Sequence, residues 1–162
     1  MGAAGGFTLS EIEPGSAAYT EARRVRYDAL YREWGLPRTL VEDNDGRTYR
    51  HLAAFDGGRV VGYGRLHLED GACQIYQVAV ARERRGEGIG KLLVDALVEW
   101  ARDAQRDEVY LDSRSHVVSF YEHLGFEVCG EEFASPRTGT PHVRMRRRLD
   151  GDDDRVERAW ER

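Results

Sequence analysis

Lysine is almost missing from this chain of 162 residues. Of its 24 basic residues only Lys91 is a lysine, and the others are arginine. That usage points to a GC-rich genome or a salt-adapted host, and composition does not separate the two. Cysteine is scarce as well. Cys73 and Cys129 both fall in strand-like runs and read as buried free thiols rather than as a disulfide. No C-x-x-C pair or His/Cys cluster has the spacing of a metal site, so no metal is expected. No apolar run approaches the ~20 residues of a membrane span. Positive charge is not in excess. The net charge of −5 argues against a general nucleic-acid binder, which needs a basic face. The opening stretch Met1-Gly2-Ala3-Ala4-Gly5-Gly6 lacks the basic and apolar segments of a signal peptide. Gly6 stands where a myristoylation site needs Ser or Thr. A soluble, cytoplasmic protein with no membrane partner is the expectation.

What is present suffices for one core. Apolar residues make up 41% of the chain and aromatics 10%, enough to fold at this length as one domain. The expected division is a flexible N-terminus over 1–6, one domain over 7–149, and an acidic tail over 150–162. In that tail Val156 and Trp160, at i and i+4, could dock a short helix.

Residues 7–13 read as a strand. Pro14-Gly15-Ser16 turns the chain, and Ser16 caps a helix that runs on helical spacing to about Trp34. Residues 36–48 are polar and irregular, with Glu42, Asp43 and Asp45 in an acidic cluster. Asp56-Gly57-Gly58 joins two strands, about 49–55 and 59–69, in a hairpin. A third strand follows at 72–80. The clearest helix carries Leu92, Leu93, Ala96, Leu97, Trp100, Ala101 and Ala104 on one face. After it come a short strand near 109–111, a short helix with Val117, Phe120, Tyr121 and Leu124 on one side, and strands near 126–133 and 141–149. This order predicts a mixed α/β (α+β) domain. It has one twisted, mostly antiparallel sheet of about seven strands, helices on both faces, and one β-α-β unit.

That β-α-β unit contains the most informative stretch. Between the strand ending at Val80 and the clear helix stands Arg85-Gly86-Glu87-Gly88-Ile89-Gly90-Lys91. A helix start presents unpaired N–H groups and the positive end of its dipole, and glycines let an anion approach them. Lys91 and the arginines at 82, 84 and 85 add positive charge there. Two common nucleotide motifs fail on spacing. A Walker A loop puts four residues between its glycines and then Lys-Ser/Thr. Here three residues separate Gly86 from Gly90, and Leu92 follows Lys91. The glycines alternate, so G-x-G-x-x-G fails too. What remains is Arg85-x-x-Gly88-x-Gly90.

That pattern resembles the acyl-CoA pyrophosphate loop of the GNAT superfamily of N-acetyltransferases. A second segment, Ser119-Phe120-Tyr121-Glu122-His123-Leu124-Gly125-Phe126, resembles the superfamily's "fYeklGF" element. The chain is also similar to the ElaA-like branch, through Glu33, Asp43 with Asp45, His51, Gly64-Arg65-Leu66 and Pro141-His142-Val143-Arg144-Met145. The likeness runs from about residue 20 to 149. Two departures are Trp34, where the branch often has Gln, and Arg114, where many GNAT enzymes have an Asn that contacts pantetheine.

The resemblance implies an acyl-CoA-dependent N-acyltransferase that uses acetyl-CoA as co-substrate. A small-molecule or peptide amine would attack directly in a ternary complex. It implies that the amides around Arg85, Gly86, Gly88, Gly90 and Lys91 hold the pyrophosphate. It further implies a splayed or bulged 75–80 strand whose backbone at Val78 and Val80 pairs with pantetheine. The Val78 N–H would polarise the thioester carbonyl, and the Tyr121 phenol would protonate the leaving sulfur. An alkylammonium, with a pKa of ~10, must also lose a proton. The 72–80 strand offers only Gln74 and Gln77, which orient a water but accept no proton. Glu33, His51 and His142 are the outside candidates for that base. Gln77 and His142 are expected on the substrate side, with Arg65 as an anchor for a substrate carboxylate or for Glu33. The acidic residues 42, 43 and 45 would suit a cationic amine. A GNAT-fold acyl-CoA sensor without turnover remains the alternative, and a homodimer is compatible with the fold.

Overall fold

A computed structural model of the chain describes residues 3–4, 6–43, 45–69 and 71–149. The expected flexibility of 1–6 and the expected tail over 150–162 therefore fall largely outside the described residues. Among the described residues nine strands form one sheet. They are β1 (Ala3–Ala4), β2 (Phe7–Ile12), β3 (Tyr49–Asp56), β4 (Arg59–Leu68), β5 (Cys73–Val80), β6 (Glu108–Arg114), β7 (Glu127–Val128), β8 (Phe133–Ala134) and β9 (Pro141–Arg148). Their spatial order is β1-β2-β3-β4-β5-β6-β9-β7, with β8 on β9. Every pairing is antiparallel except β5 with β6. The β3–β4 hairpin turns at Gly57 and Gly58, between the paired Asp56 and Arg59.

Helices cover both faces. The helix α1 (Ala17–Arg26) starts at Ser16, whose hydroxyl accepts the Tyr19 N–H at 3.1 Å. Its Tyr19, Ala22 and Val25 pack on Ile12, Ala53, Val60 and Tyr63. The helix α2 (Ile89–Asp103) fills the other face, with Leu93, Val94, Leu97 and Ala101 fully buried among Leu52, Leu66 and Ile75. Two glycines of β4 set how close α2 comes. A Cβ on Gly62 would stand 2.8 Å from Ile89 Cγ2, and one on Gly64 2.8 Å from Leu97 Cδ1. A short helix, α3 (Val118–His123), follows β6 and a 3₁₀ turn over Ser115–Val117.

Three segments depart from expectation. The long helix to Trp34 is α1 followed by a π turn over Tyr27–Tyr31 and a 3₁₀ turn over Arg32–Trp34. The Arg32 N–H bonds to the Tyr27 carbonyl, one residue further back than in an α-helix. The carbonyls of Asp28, Ala29 and Leu30 accept from the guanidinium groups of Arg82, Arg85 and Arg114 instead. The irregular stretch 36–48 contains a 3₁₀ turn at Arg38–Val41. The expected strand over 126–133 is only its two ends, β7 and β8, on β9. Glu131 and Glu132 between them are exposed. Both cysteines are free, but only Cys73 is buried; Cys129 lies past the end of β7 and is exposed.

Candidate active site

β5 and β6 share a single register pair, Gln74 with Tyr110, and then part. The cause is a bulge between β4 and β5. Tyr63 pairs with Ala79 and Arg65 with Tyr76, so Gln77 and Val78 together face Gly64. Gln77 takes a left-handed φ of +51°, which costs a side-chain-bearing residue ~1–2 kcal/mol. Its carboxamide is fixed at both ends. Oε1 accepts from Arg26 Nη1 at 2.9 Å, and Nε2 donates to the Tyr31 hydroxyl at 2.9 Å.

The direction of the β5 backbone follows from its ladder. The Ala81 N–H donates to the Val61 carbonyl, so the 61/81 pair is the bonded kind and the adjacent 62/80 pair the open kind. The N–H and C=O of Val80 therefore face away from β4, toward the gap beside β6. Val78, within the bulge, lines the cleft that opens there.

A cleft of about 220 Å³ occupies the divergence. Val78, Ile75, Val117 and Tyr121 line it, as do Gln74, Gln77, Tyr31, Arg114, Arg137 and His142. Tyr121 meets Phe126 edge-on at 5.9 Å. Its hydroxyl bonds to no described residue, and burial pushes its pKa above the usual phenol value. His142 Nδ1 stands 2.9 Å from the Thr140 carbonyl. A carbonyl only accepts, so Nδ1 carries a proton, and in the neutral ring Nε2 is the acceptor. Asp112 also lines the cleft, but Arg144 takes both its oxygens, at 2.9 and 3.2 Å.

Beyond β5 the chain makes a 3₁₀ turn at Arg82–Arg84 and enters α2 through two left-handed glycines, Gly86 (φ +82°) and Gly88 (φ +84°). Gly88 is the N-cap residue and has no side chain to cap the helix. The first-turn N–H groups at Ile89, Gly90 and Lys91 thus lack intrahelical acceptors. A Cβ at Gly86 or Gly88 would meet nothing within 4 Å, so the space before the turn is open. Gly90 serves packing instead: a Cβ there would stand 3.2 Å from the Phe120 ring. The charges nearby are mostly spent. Lys91 bonds Asp95, Arg82 bonds Glu33, and Arg84 bonds Asp56 and Glu87. A second cleft, about 380 Å³, lies between the end of α1 and residues 81–84. Four of its five lining arginines, 24, 32, 82 and 84, each hold a carboxylate, and the fifth is Arg59.

Several expected participants lie elsewhere. Glu33 is exposed on its 3₁₀ turn, in the pair with Arg82, and does not line the cleft. His51 is buried on the α1 side of the sheet, its Nδ1 2.6 Å from the Tyr63 hydroxyl. Burial and the charge of Arg65 depress its pKa to about 4. Arg65 is 1% exposed, donates to Asp43 at 2.7 Å and stacks 3.9 Å over Tyr49. It anchors neither Glu33 nor a group in the cleft. Asp43 does not stand at an entrance. Arg26, Arg65 and Tyr19 all bond its carboxylate, which these partners hold well below the usual range against the opposing effect of burial. Asp45 accepts from the Tyr49 hydroxyl and the Arg47 N–H. Of the acidic cluster Glu42 and Asp45 are exposed, and neither lines the cleft.

The buried pair Arg26–Asp43 went unread, although Arg26 continues the apolar spacing of Tyr19, Ala22 and Ala29. A charge on an apolar stripe signals a buried partner. Arg137 and Tyr31 in the cleft wall had no local signal.

Comparison with known proteins agrees with this architecture. A family model described as "Acetyltransferase (GNAT) family" matches residues 12–126. The chain is 29% identical over 126 residues to the "Uncharacterized N-acetyltransferase YjcF" of Bacillus subtilis, covering 77% of this chain and 89% of that one. Among solved structures it resembles an acyl-CoA N-acyltransferase from Pseudomonas aeruginosa (TM-score 0.72, 25% identity, 87% and 97% of the two chains). Its fold is also that of Escherichia coli ElaA (TM-score 0.73, 24% identity, 87% and 98%).

Proposed function

The chain belongs to the acetyltransferase (GNAT) family, and from that premise we propose that it moves an acetyl group from acetyl-CoA to a primary amine by direct attack in a ternary complex. Residues 7–149 are the catalytic unit in this reading. The observation that carries it is the gap between β5 and β6, which opens beside a glycine turn with uncapped helix N–H groups.

The residues present fit an acyl-CoA. Open space in front of Gly86 and Gly88 lets a diphosphate reach the amides from Arg85 to Lys91. Val80 faces the gap and Val78 lines the cleft, where an extended amide chain adds to β5 as a strand would. Acetyl-CoA supplies the activated acyl group. The Val78 N–H polarises its carbonyl, stabilising charge that builds on the oxygen. His142 Nε2, in the same cleft, takes the proton from the attacking amine; Glu33 and His51, which do not line it, are not part of the reaction. As the C–N bond forms and the C–S bond breaks, Tyr121 donates a hydrogen bond to the departing sulfur. Gln77 positions the bulge, and its carboxamide is occupied on both sides.

Thiol release on mixing protein, acetyl-CoA and a panel of primary amines tests the proposal. Amine-dependent release supports it. Binding of CoA without release from any amine favours the sensor reading.

A further inference from the structure

Many of the described arginines are bound to a carboxylate, including Arg26, Arg50, Arg65, Arg82, Arg84, Arg144 and Arg146. Two that line the cleft are not. Arg114 is half-buried at the end of β6. Its guanidinium donates to the Leu30 carbonyl and lies 5.9 Å from the Tyr31 ring and 5.4 Å from the Trp34 ring. Glu33 acts on it through space, yet Glu33 is exposed and bonded to Arg82. Desolvation bears on this cation strongly enough to lower its pKa. Arg137, from the turn between β8 and β9, donates to the Leu40 carbonyl. Both line the same cleft, together with Tyr31. Asp112 adds no net negative charge there, since Arg144 neutralises it.

One more group is unused. Gln74 is 2% exposed and lines the cleft, and its carboxamide bonds to no described residue. Its Nε2 is sealed from solvent without a partner. A buried amide without a partner is costly, and an oxygen-rich ligand would satisfy it.

We propose that the acceptor is a small primary amine bearing a carboxylate, which Arg114 and Arg137 hold at the wall of the cleft while the amine faces His142. This rests on the acyltransferase reading above. A guanidinium presents a planar fork of donors that matches a carboxylate, and a half-buried one gains most from an anion. The geometry disfavours polyamines and aminoglycosides, whose extra cations would meet two arginines and no free carboxylate among the described lining residues.

The test compares the twenty common amino acids with their carboxamides, and adds spermidine and phosphoethanolamine. Two measurements run in parallel: thiol release with acetyl-CoA, and calorimetric binding of the same amines to the CoA-loaded protein. Expected is a preference of tenfold or more in kcat/KM for at least one acid over its carboxamide. In Arg137→Gln that preference falls to threefold or less through a rise in KM for the acid that exceeds any change for the carboxamide. Arg114→Gln shows the same collapse in the binding measurement, even if its altered wall also changes the affinity for CoA. Equal or better use of carboxamides or spermidine overturns the proposal, as does a parallel loss for acid and carboxamide in both variants. Preference for phosphoethanolamine over every acid overturns the carboxylate in favour of a phosphate. If nothing is turned over, the transferase reading fails while the acid preference is still decided by calorimetry, and no preference there sinks the present inference.

Discussion

Replacing Tyr121 by Phe removes one oxygen from the cleft wall and nothing else. Because that hydroxyl bonds to no described residue, folding loses no hydrogen bond, and stability should change by less than about 0.5 kcal/mol. The catalytic consequence is set by proton affinities. A thiol has a pKa of ~8.5 and an ordinary phenol ~10. Burial pushes Tyr121 higher still, so complete proton transfer to the departing sulfur is uphill by at least about 2 kcal/mol. Tyr121 therefore serves the reaction as a hydrogen-bond donor to a sulfur that is becoming an anion. Hydrogen bonds to charged groups contribute about 1.5–3 kcal/mol, which converts to about 10–150-fold in kcat. The assay is thiol release at saturating acetyl-CoA, with the KM for acetyl-CoA expected within threefold of wild type. A loss below about threefold would leave the hydroxyl without a role. A loss beyond about 1000-fold would mean that full protonation is required, and the reasoning from proton affinities would be wrong. Nor should kcat of the wild type show an alkaline limb from Tyr121 below pH 10.

Three further expectations concern binding and stability. His51 has a folded-state pKa near 4 against an ordinary 6.5, so below pH 6.5 the unfolded chain binds a proton that the folded protein refuses. Stability should fall by about 3 kcal/mol between pH 6.5 and 4, and urea titrations should show this slope reduced in His51→Gln; an identical slope would refute the assignment. Gly88→Ala places a methyl in open space at φ +84°, costing about 1–2 kcal/mol of stability. Its calorimetric affinity for CoA should drop by about tenfold or more, since the helix N–H groups are screened where they meet the phosphate; unchanged affinity would move the diphosphate elsewhere. Asp43→Asn strips the carboxylate from two buried guanidinium groups and should destabilise the fold by about 3–5 kcal/mol in urea unfolding. Less than about 1 kcal/mol would show that the network is dispensable.

The parts of this protein that could be read from the chain are those whose physics is local. The alternation of Gly86 and Gly88, the apolar stripe from Leu92 to Ala101, the Ser16 cap and the Gly57-Gly58 turn each depend on residues within one or two turns. Each stands where its spacing placed it. The π turn at Tyr27–Tyr31 has no such code. It coincides with carbonyls at 28, 29 and 30 that accept from arginines more than fifty residues away. The strand over 126–133 had the right composition, yet β9 pairs with only its ends. Pairing is a property of two segments, and alternation within one cannot decide it.

The same distinction explains why the acidic cluster does not line the cleft. Asp43 and Asp45 look like a lure for a cationic amine when only their neighbours in the chain are considered. Folding brings Arg26 from α1 and Arg65 from β4 onto Asp43, and Tyr49 onto Asp45. A carboxylate whose oxygens are all bonded has little attraction left for a ligand. Net charge hides this, because an excess of five negative charges over the chain does not determine the charge of one cleft. What counts is which charges remain uncompensated after internal pairing, and in the cleft wall those are Arg114 and Arg137. The arginine-rich composition acquires a structural sense at that point. Guanidinium groups reach across the sheet to carbonyls and carboxylates with several donors each, and two such groups are left over where the acceptor amine would enter.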